Sequence, residues 1–360
     1  MNDRRHLVIG NHLINDDSDC YVIAEVGHNH QGSLEICKEM FLAAKNAGVN
    51  AVKLQKRDNK TLFTKETYNK PYDNPNSYGE TYGEHREFLE FGWHEYMELK
   101  KYAEELGLDF FSTAFDIPSA DFLEKLDMPA YKFSSGDLKT IPLLKHVAKF
   151  GKPMIMSTGG ASLNDIRRAY EAVMPINSQV CIMQCTGGYP PAWSELNLMV
   201  IDTLRKEFPE AVIGFSSHDS GIAMAVAGYM LGARMVEKHF TLNRASKGTD
   251  HAFSLEPVGM TKMVRDLRRL KLALGDGQKI MFPSEKAPIT KMGKSLVAKH
   301  DLAAGHVLTE DDIRMKSPGG GLPPYELENL IGCELAKAVA EDHMIQLSDL
   351  KGEKLAGATA

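Results

Sequence analysis

Val212-Ile-Gly-Phe-Ser-Ser-His218 and, one helical stretch later, Arg234-Met-Val-Glu-Lys-His-Phe-Thr-Leu242 decide how this chain folds. Each is a short apolar run, too short for a helix, that turns polar toward its end. A strand, a helix and a second strand in that order require parallel pairing through a crossover. Working outward, the same unit recurs. Residues 21–27, 51–56, 109–115, 130–136, 152–158 and 179–186 read as further strands, with amphipathic segments between them. Ser33 and Gly48 bracket one such segment as N-cap and C′ glycine, and Gly107 ends another that starts at Gly92. About eight strand–helix units predict a closed (β/α)8 TIM barrel. An open doubly wound sheet is the alternative. No Gly-x-Gly-x-x-Gly follows the first strand, so a dinucleotide-binding fold has no support.

The chain has 360 residues, 43% hydrophobic and 25% charged, which leaves room for a second, small domain beside a barrel of about 250. A net charge of -6 gives no reason to expect nucleic acid or an anionic membrane as partner. Five scattered cysteines argue against a disulfide framework. Cys181 and Cys185 share a strand face and read as small buried residues rather than metal or redox groups. The apolar run at Leu7 is too short for a signal sequence, and no stretch approaches the roughly 20 apolar residues of a membrane span. A soluble, cytoplasmic protein is expected. One connection, 57–91, is unusually long and rich in Pro, Gly and Tyr, as functional lids often are. Past residue 275 the character changes. Leu302-Ala-Ala-Gly-His-Val-Leu-Thr-Glu-Asp-Asp-Ile313 is echoed by Val339-Ala-Glu-Asp-His-Met-Ile-Gln-Leu-Ser-Asp-Leu350, which suggests a small pseudo-symmetric module.

In a barrel, polar side chains near the C-terminal ends of the strands converge on one mouth. Here they recur on every strand: Glu25; Lys53 and Gln55; Ser112 and Thr113; Lys132, Ser134, Ser135 and Asp137; Ser157 and Thr158; Gln184 and Thr186; Ser216, Ser217, His218 and Asp219; Glu237, Lys238 and His239. His218 and His239 end successive strands, which places their imidazoles to meet either as ligands of a borderline divalent metal or as a catalytic or merely hydrogen-bonded pair. Lys53 and Lys132 project from strands where lone cations are seldom buried. Ser157-Thr-Gly-Gly160 is a small-residue turn before a helix, suited to phosphate. Glu25 reads either as a general base or as a salt-bridge partner of Lys53. His28 and His30 flank Asn29 in the first loop and are candidates to line the site.

These residues resemble, in order and over nearly the whole chain, the sialic acid synthase family. The resemblance lies in Tyr21-Val-Ile-Ala-Glu-Val-Gly-His-Asn-His-Gln-Gly32, Val52-Lys-Leu-Gln55, Tyr78-Gly-Glu-Thr-Tyr-Gly-Glu-His85, Lys132-Phe-Ser-Ser-Gly-Asp137, Met156-Ser-Thr-Gly159, Gln184-Cys-Thr-Gly-Gly-Tyr-Pro190, Ile213-Gly-Phe-Ser-Ser-His218 and Glu237-Lys-His-Phe-Thr241. The tail resembles the antifreeze-like (SAF) domain such enzymes carry. The resemblance implies a barrel over 1–280, a linker over 281–292, the small domain over 293–351 and a frayed tail over 352–360. It implies condensation of phosphoenolpyruvate with an N-acetylmannosamine-type sugar, release of phosphate, and a domain-swapped homodimer.

Carried over by motif, the metal ligands are His218 and His239, with Mn2+ first and Mg2+ or Co2+ as alternatives. Phosphoenolpyruvate meets Lys53, Thr113, Lys132, Ser135, Ser157 and Ser216. The base is Glu25, and the sugar lies near Gln55, Asp137, Tyr189 and Asp250. Three departures bear on the acceptor. Asp137 shortens a glutamate, Gly187-Gly188 removes an asparagine amide before Tyr189, and Ser317-Pro-Gly319 replaces an Arg-Pro-Gly turn, leaving Arg314 or Lys316 as substitutes. Synthases for legionaminic acid, pseudaminic acid or a sialic acid 9-phosphate are alternatives within the family. A synthase of another family acting on a sugar phosphate would not explain the tail. A non-catalytic carbohydrate-sensing barrel is the alternative of another class.

Overall fold

The computed structural model describes residues 5–352. The chain divides into two compact units, the second beginning at Asp276. The first opens with a hairpin, β1 (His6–Ile9) and β2 (His12–Asn15), paired antiparallel. Eight parallel strands follow: β3 (Tyr21–Gly27), β4 (Ala51–Lys56), β5 (Asp109–Ala114), β6 (Tyr131–Phe133), β7 (Met154–Ser157), β8 (Val180–Cys185), β9 (Val212–Ser217) and β10 (Met235–His239). They pair in chain order, and β10 closes onto β3 to complete the barrel. Each lies within the span that hydrophobic patterning marks out, two of them matching it in full and the others one to four residues shorter.

Strand alternation sorts the side chains into two layers. Val22, Ala24, Val52, Leu54, Met154, Met156, Ile213 and Phe215 face outward and join the layer under the helices. Tyr21, Ile23, Ala51, Phe111, Ala130, Ile155, Cys181, Met183, Val212 and Met235 face inward and fill the lower barrel. Leu7, Ile9 and Ile14 of the hairpin pack against this inner cluster, so β1 and β2 plug the end of the barrel where the strands begin. The plug is an element that sequence patterning missed. Above the apolar layer, the same alternation places Glu25, Lys53, Gln55, Thr113, Lys132, Ser157, Cys185, Ser216, Glu237 and His239 on the inside as well.

The connection 57–91 is not an open loop. It contains helices Asn59–Leu62, Lys65–Asn69 and Tyr82–Leu89, the last opened by a Thr81/Glu84 capping box. The helix Pro257–Leu274 ends the first unit. Residues read as linker, 281–292, hold a 3-10 turn (Pro283–Glu285) and a helix (Lys286–Met292), so the stretch is not irregular chain.

The second unit pairs β11 (Ser295–Ala298) with β12 (Ile313–Lys316) around a core of Leu296, Leu302, Leu308, Leu330, Leu335, Val339 and Ile345. The echoed halves are structurally equivalent. Leu302 N–H donates to Val339 O and Val339 N–H to Leu302 O, at 2.8 and 3.0 Å. Lys299 N–H donates to Asp312 O, and its counterpart Ala336 N–H to Asp349 O. His306 pairs with Asp312 as His343 pairs with Asp349. One shift along the chain, the one that takes Leu302 to Val339, relates all these partners. The frayed-tail reading at 353–360 lies outside the described residues.

Candidate active site

A cavity of about 510 Å³ opens at the C-terminal mouth of the barrel, and residues from all eight strands or the loops that follow them line it. Its floor holds two ammonium groups and two carboxylates. Lys53 Nζ lies 2.5 Å from Glu25 Oε2 and 3.7 Å from Glu237 Oε1, and Lys132 Nζ lies 3.8 Å from Glu237 Oε1. All four are almost wholly buried. Burying this many charges is costly unless they balance, and here the two lysines match the two glutamates. Lys53 also donates to Thr113 Oγ1 at 2.8 Å, and Lys132 to Ser157 Oγ at 2.6 Å and Phe133 O at 3.0 Å. The hydroxyls thereby fix where each ammonium points.

The two carboxyls are pushed in opposite directions. Burial raises the Glu25 carboxyl above its usual range and Glu237 adds to this, while Lys53 opposes it. Burial would raise Glu237 too, but Lys132 and Lys53 together bring it below. Burial lowers the Lys132 ammonium. Glu25 Oε1 accepts from Gln55 Nε2 at 2.7 Å. A register irregularity between Glu25 and Gly27 positions this carboxylate. Gly27 has φ +54°, and a Cβ there would sit 3.1 Å from Glu25 Oε1 and 3.2 Å from Gln55 Nε2, so both conformation and space call for glycine.

His218 and His239 form one wall, ring centroids 5.4 Å apart. His218 Nδ1 donates to Thr186 O at 3.0 Å, which leaves Nε2 as a lone-pair donor. Burial, with His239 adding to it, lowers His218 to about 4, and burial lowers His239 as well. Both rings are therefore neutral near pH 7. His239 Nδ1 is buried with no hydrogen-bond partner among the described residues, and the Asp250 carboxylate lies 3.7 Å from it. Two neutral imidazoles, one with an orphaned nitrogen, fit a borderline divalent cation. Among the described residues no three His, Cys, Asp or Glu side chains form a closed ligand set, so further positions would fall to solvent or substrate.

The Tyr189 ring packs against His218 at a tilt of 34°, centroids 4.1 Å apart, and Ser135 Oγ accepts from Gly159 N–H at 2.9 Å. Ser216 Oγ lies 3.4 Å from Glu237 Oε1. Thus Glu25, Lys53, Gln55, Thr113, Lys132, Ser135, Ser157, Tyr189, Ser216, His218, His239 and Asp250 all line one cavity. Asp137 does not. Its shorter side chain folds back to accept from Ser134 Oγ at 2.6 Å. His30 does not either, because it is buried against Phe91. His28 and Asn29 do line the cavity.

Arg57, Arg86 and His85 also line it, supplied by the start of the long connection and its last helix. None was singled out as a site residue from sequence, since nothing in their spacing separates them from solvated loop charges. Lys238, named on β10, points outward and pairs with Asp219.

The NeuB family profile matches residues 40–279, and the SAF domain profile matches 293–351. An N-acetylneuraminate-9-phosphate synthase of Homo sapiens is 40% identical over 93% of this chain and 94% of that protein. An N,N'-diacetyllegionaminic acid synthase of Legionella pneumophila is 33% identical over 88% and 90%. The crystal structure of an N-acetylneuraminic acid synthetase from Leptospira borgpetersenii superposes with a TM-score of 0.69 at 30% identity, covering 79% of this chain and 95% of that one.

Proposed function

The chain belongs to the NeuB family of sialic (nonulosonic) acid synthases and carries a SAF domain, and from that premise we propose that it condenses phosphoenolpyruvate with an N-acetylmannosamine-type aldehyde, releasing phosphate. The observation that carries this reading is the pair of buried lysines on the floor of a cavity whose wall is a pair of neutral histidines. Buried ammonium groups held by hydroxyls and offset by carboxylates suit a small, highly charged anion that exchanges with those carboxylates.

Lys53 and Lys132 bind the phosphate and carboxylate of phosphoenolpyruvate and hold its C3 toward the aldehyde carbon. His218 and His239 would hold a divalent cation, Mn2+ in the first instance, which when bound draws charge toward the aldehyde oxygen. The C3–C1 bond forms, and the electron pair lost from the enol leaves cationic character at C2. Water adds to C2, and its proton passes to Glu25. The bond from C2 to the bridging oxygen then breaks, phosphate departs with that oxygen, the new C2 hydroxyl gives up its proton as the ketone forms, and the two protons of the water end on the former aldehyde oxygen and on phosphate. Arrival of the anion draws Lys53 away from Glu25. That removes the cation opposing the effect of burial and makes Glu25 a stronger base at the moment water must be activated.

The small domain of a partner subunit closing over the mouth completes the proposal. Within its own unit Lys316 is tied to Asp342, whereas Arg314 has no ion pair among the described residues, which makes Arg314 the cation available to an acceptor. The reaction takes place in the cytoplasm, where phosphoenolpyruvate is made.

Phosphate release from phosphoenolpyruvate in the presence of Mn2+ and mannosamine-type acceptors tests the reading. His218→Ala and His239→Ala should each lower turnover by about 1,000-fold or more and weaken Mn2+ binding followed by electron paramagnetic resonance. Undiminished turnover by the double variant in metal-free buffer would remove the metal, and absence of phosphate release with every acceptor would remove the synthase.

A further inference from the structure

Relatives of this chain make products with and without phosphate, so the acceptor has to be read from the cavity itself. At the end of the cavity away from the lysines, two guanidinium groups face one imidazole. Arg57 Nη1 lies 3.2 Å from His28 Nε2, and Arg86 Nη1 lies 3.2 Å from His28 Nδ1. A neutral imidazole has one N–H and one lone pair, whereas a guanidinium offers only donors. One of the two contacts therefore sets N–H against N–H. Protonating the ring would make both contacts repulsive, and burial together with the two arginines holds His28 well below its usual range.

The charges around this ring do not balance. Arg86 has no carboxylate within ion-pair distance among the described residues, and its Nε donates to Tyr82 Oη at 3.0 Å. Arg57 is buried, lies over the Phe115 ring at 3.7 Å and is 3.8 Å from Glu90 Oε1. Glu90 is shared with Lys56, 3.1 Å from its Oε2. The Oε1 of Glu90 also lies 3.7 Å from His28 Nε2, and Asp250, which lines the cavity, is engaged with His239. Lys56, Arg57 and Arg86 thus outnumber the carboxylates that face them. A clash of donors beside surplus cations, of which Arg57 is buried and Arg86 partly so, is what an anion site looks like without its anion, because an acceptor placed between the guanidinium groups satisfies both at once.

The position of this cluster selects the ligand. Gln55 bridges Glu25 and Arg57, its Nε2 donating to Glu25 and its Oε1 accepting from Arg57 Nη2 at 2.7 Å. The cluster therefore lies one glutamine side chain from the proposed base, on the side opposite the lysines. An acceptor with its aldehyde beside the histidines spans that glutamine with the rest of its chain. We propose that His28, Arg57 and Arg86 form a second anion subsite, which receives a phosphate carried by the acceptor sugar at the end remote from its aldehyde. This rests on the synthase reading above.

The test compares N-acetylmannosamine with its 6-phosphate as acceptors for the wild type, Arg86→Gln and Arg86→Lys. The wild type should favour the phosphorylated acceptor by about 100-fold or more in kcat/KM. Arg86→Gln should cut that preference by about ten-fold or more, chiefly through the acceptor KM, and Arg86→Lys should retain most of it. Equal or better use of the unphosphorylated sugar by the wild type overturns the subsite and leaves the synthase intact, as does a preference that Arg86→Gln does not change. If neither sugar is turned over, the synthase reading fails only when every other mannosamine-type acceptor also gives no phosphate release. The subsite is then decided by thermal stabilisation. A rise in Tm with the 6-phosphate, absent with the free sugar and lost in Arg86→Gln, supports it, and no rise overturns it.

Discussion

Glu25 illustrates how one side chain can be both a salt-bridge partner and a base. In the free protein it lies against Lys53 Nζ and accepts from Gln55, an arrangement that satisfies a buried charge. Burial nevertheless drives its carboxyl upward, so any ligand that draws Lys53 away leaves a stronger base behind. Glu25→Gln should therefore still bind phosphoenolpyruvate by calorimetry while turnover falls by about 100-fold or more. Wild-type turnover in that variant would leave Glu25 with only its pairing role. The lysines, histidines and hydroxyls of the floor were legible in sequence because a polar residue at an inward position of an apolar strand has few explanations. Glu237 was visible for the same reason, although nothing in the sequence showed that it would balance both lysines. Arg57 and Arg86 were not legible, since a charged residue on a connection is solvated more often than not, and only the fold turns these two toward His28.

At the scale of elements, strand alternation carries the reading. On β3, Tyr21 and Ile23 face the inner core and Glu25 continues the same face into the cavity, while Val22 and Ala24 face the helices. The hairpin escaped notice because β1 and β2 have only four residues each, with polar residues interleaved, which is too little pattern to separate from loop. It nonetheless supplies core. Leu7 is 1% exposed within the inner cluster, so Leu7→Ala should cost about 2–5 kcal/mol in chemical denaturation. A cost under about 1 kcal/mol would mean that the hairpin merely rests on the barrel. The connection 57–91 drew notice for its length, and several of its residues do line the cavity, but its helices were not legible. Its helix Tyr82–Leu89, held by a capping box, is what carries Arg86 to the cavity.

At the scale of the whole molecule, the chain joins an enzyme barrel to a duplicated module, and each unit has its own core. The duplication was legible as a faint echo because the turn chemistry repeats: His306 and Thr309 serve Asp312 as His343 and Gln346 serve Asp349. Burial alone would raise Asp312, but hydrogen bonds from His306 and Thr309 outweigh it and bring the carboxyl to about 2, and Asp349 is lowered as well. A carboxylate depressed in the folded state stabilises above its free pKa of 3.8 and loses that contribution as pH falls through about 2. The small module should therefore lose stability between about pH 4 and 2, seen as faster exchange of the Leu302 and Val339 amides, and Asp312→Asn should flatten that dependence. An exchange profile independent of pH over that range, once intrinsic rates are removed, would contradict it.

The barrel's proposed chemistry turns on which bond of phosphoenolpyruvate breaks. Phosphoenolpyruvate labelled with 18O at the bridging oxygen, turned over with an N-acetylmannosamine-type acceptor and followed by mass spectrometry, answers this directly. The label should appear in the released phosphate, because water attacks C2 while the lysines hold the phosphate. Label retained at C2 of the product would mean that water attacks phosphorus instead, and the roles given to Glu25, Lys53 and Lys132 would have to be abandoned.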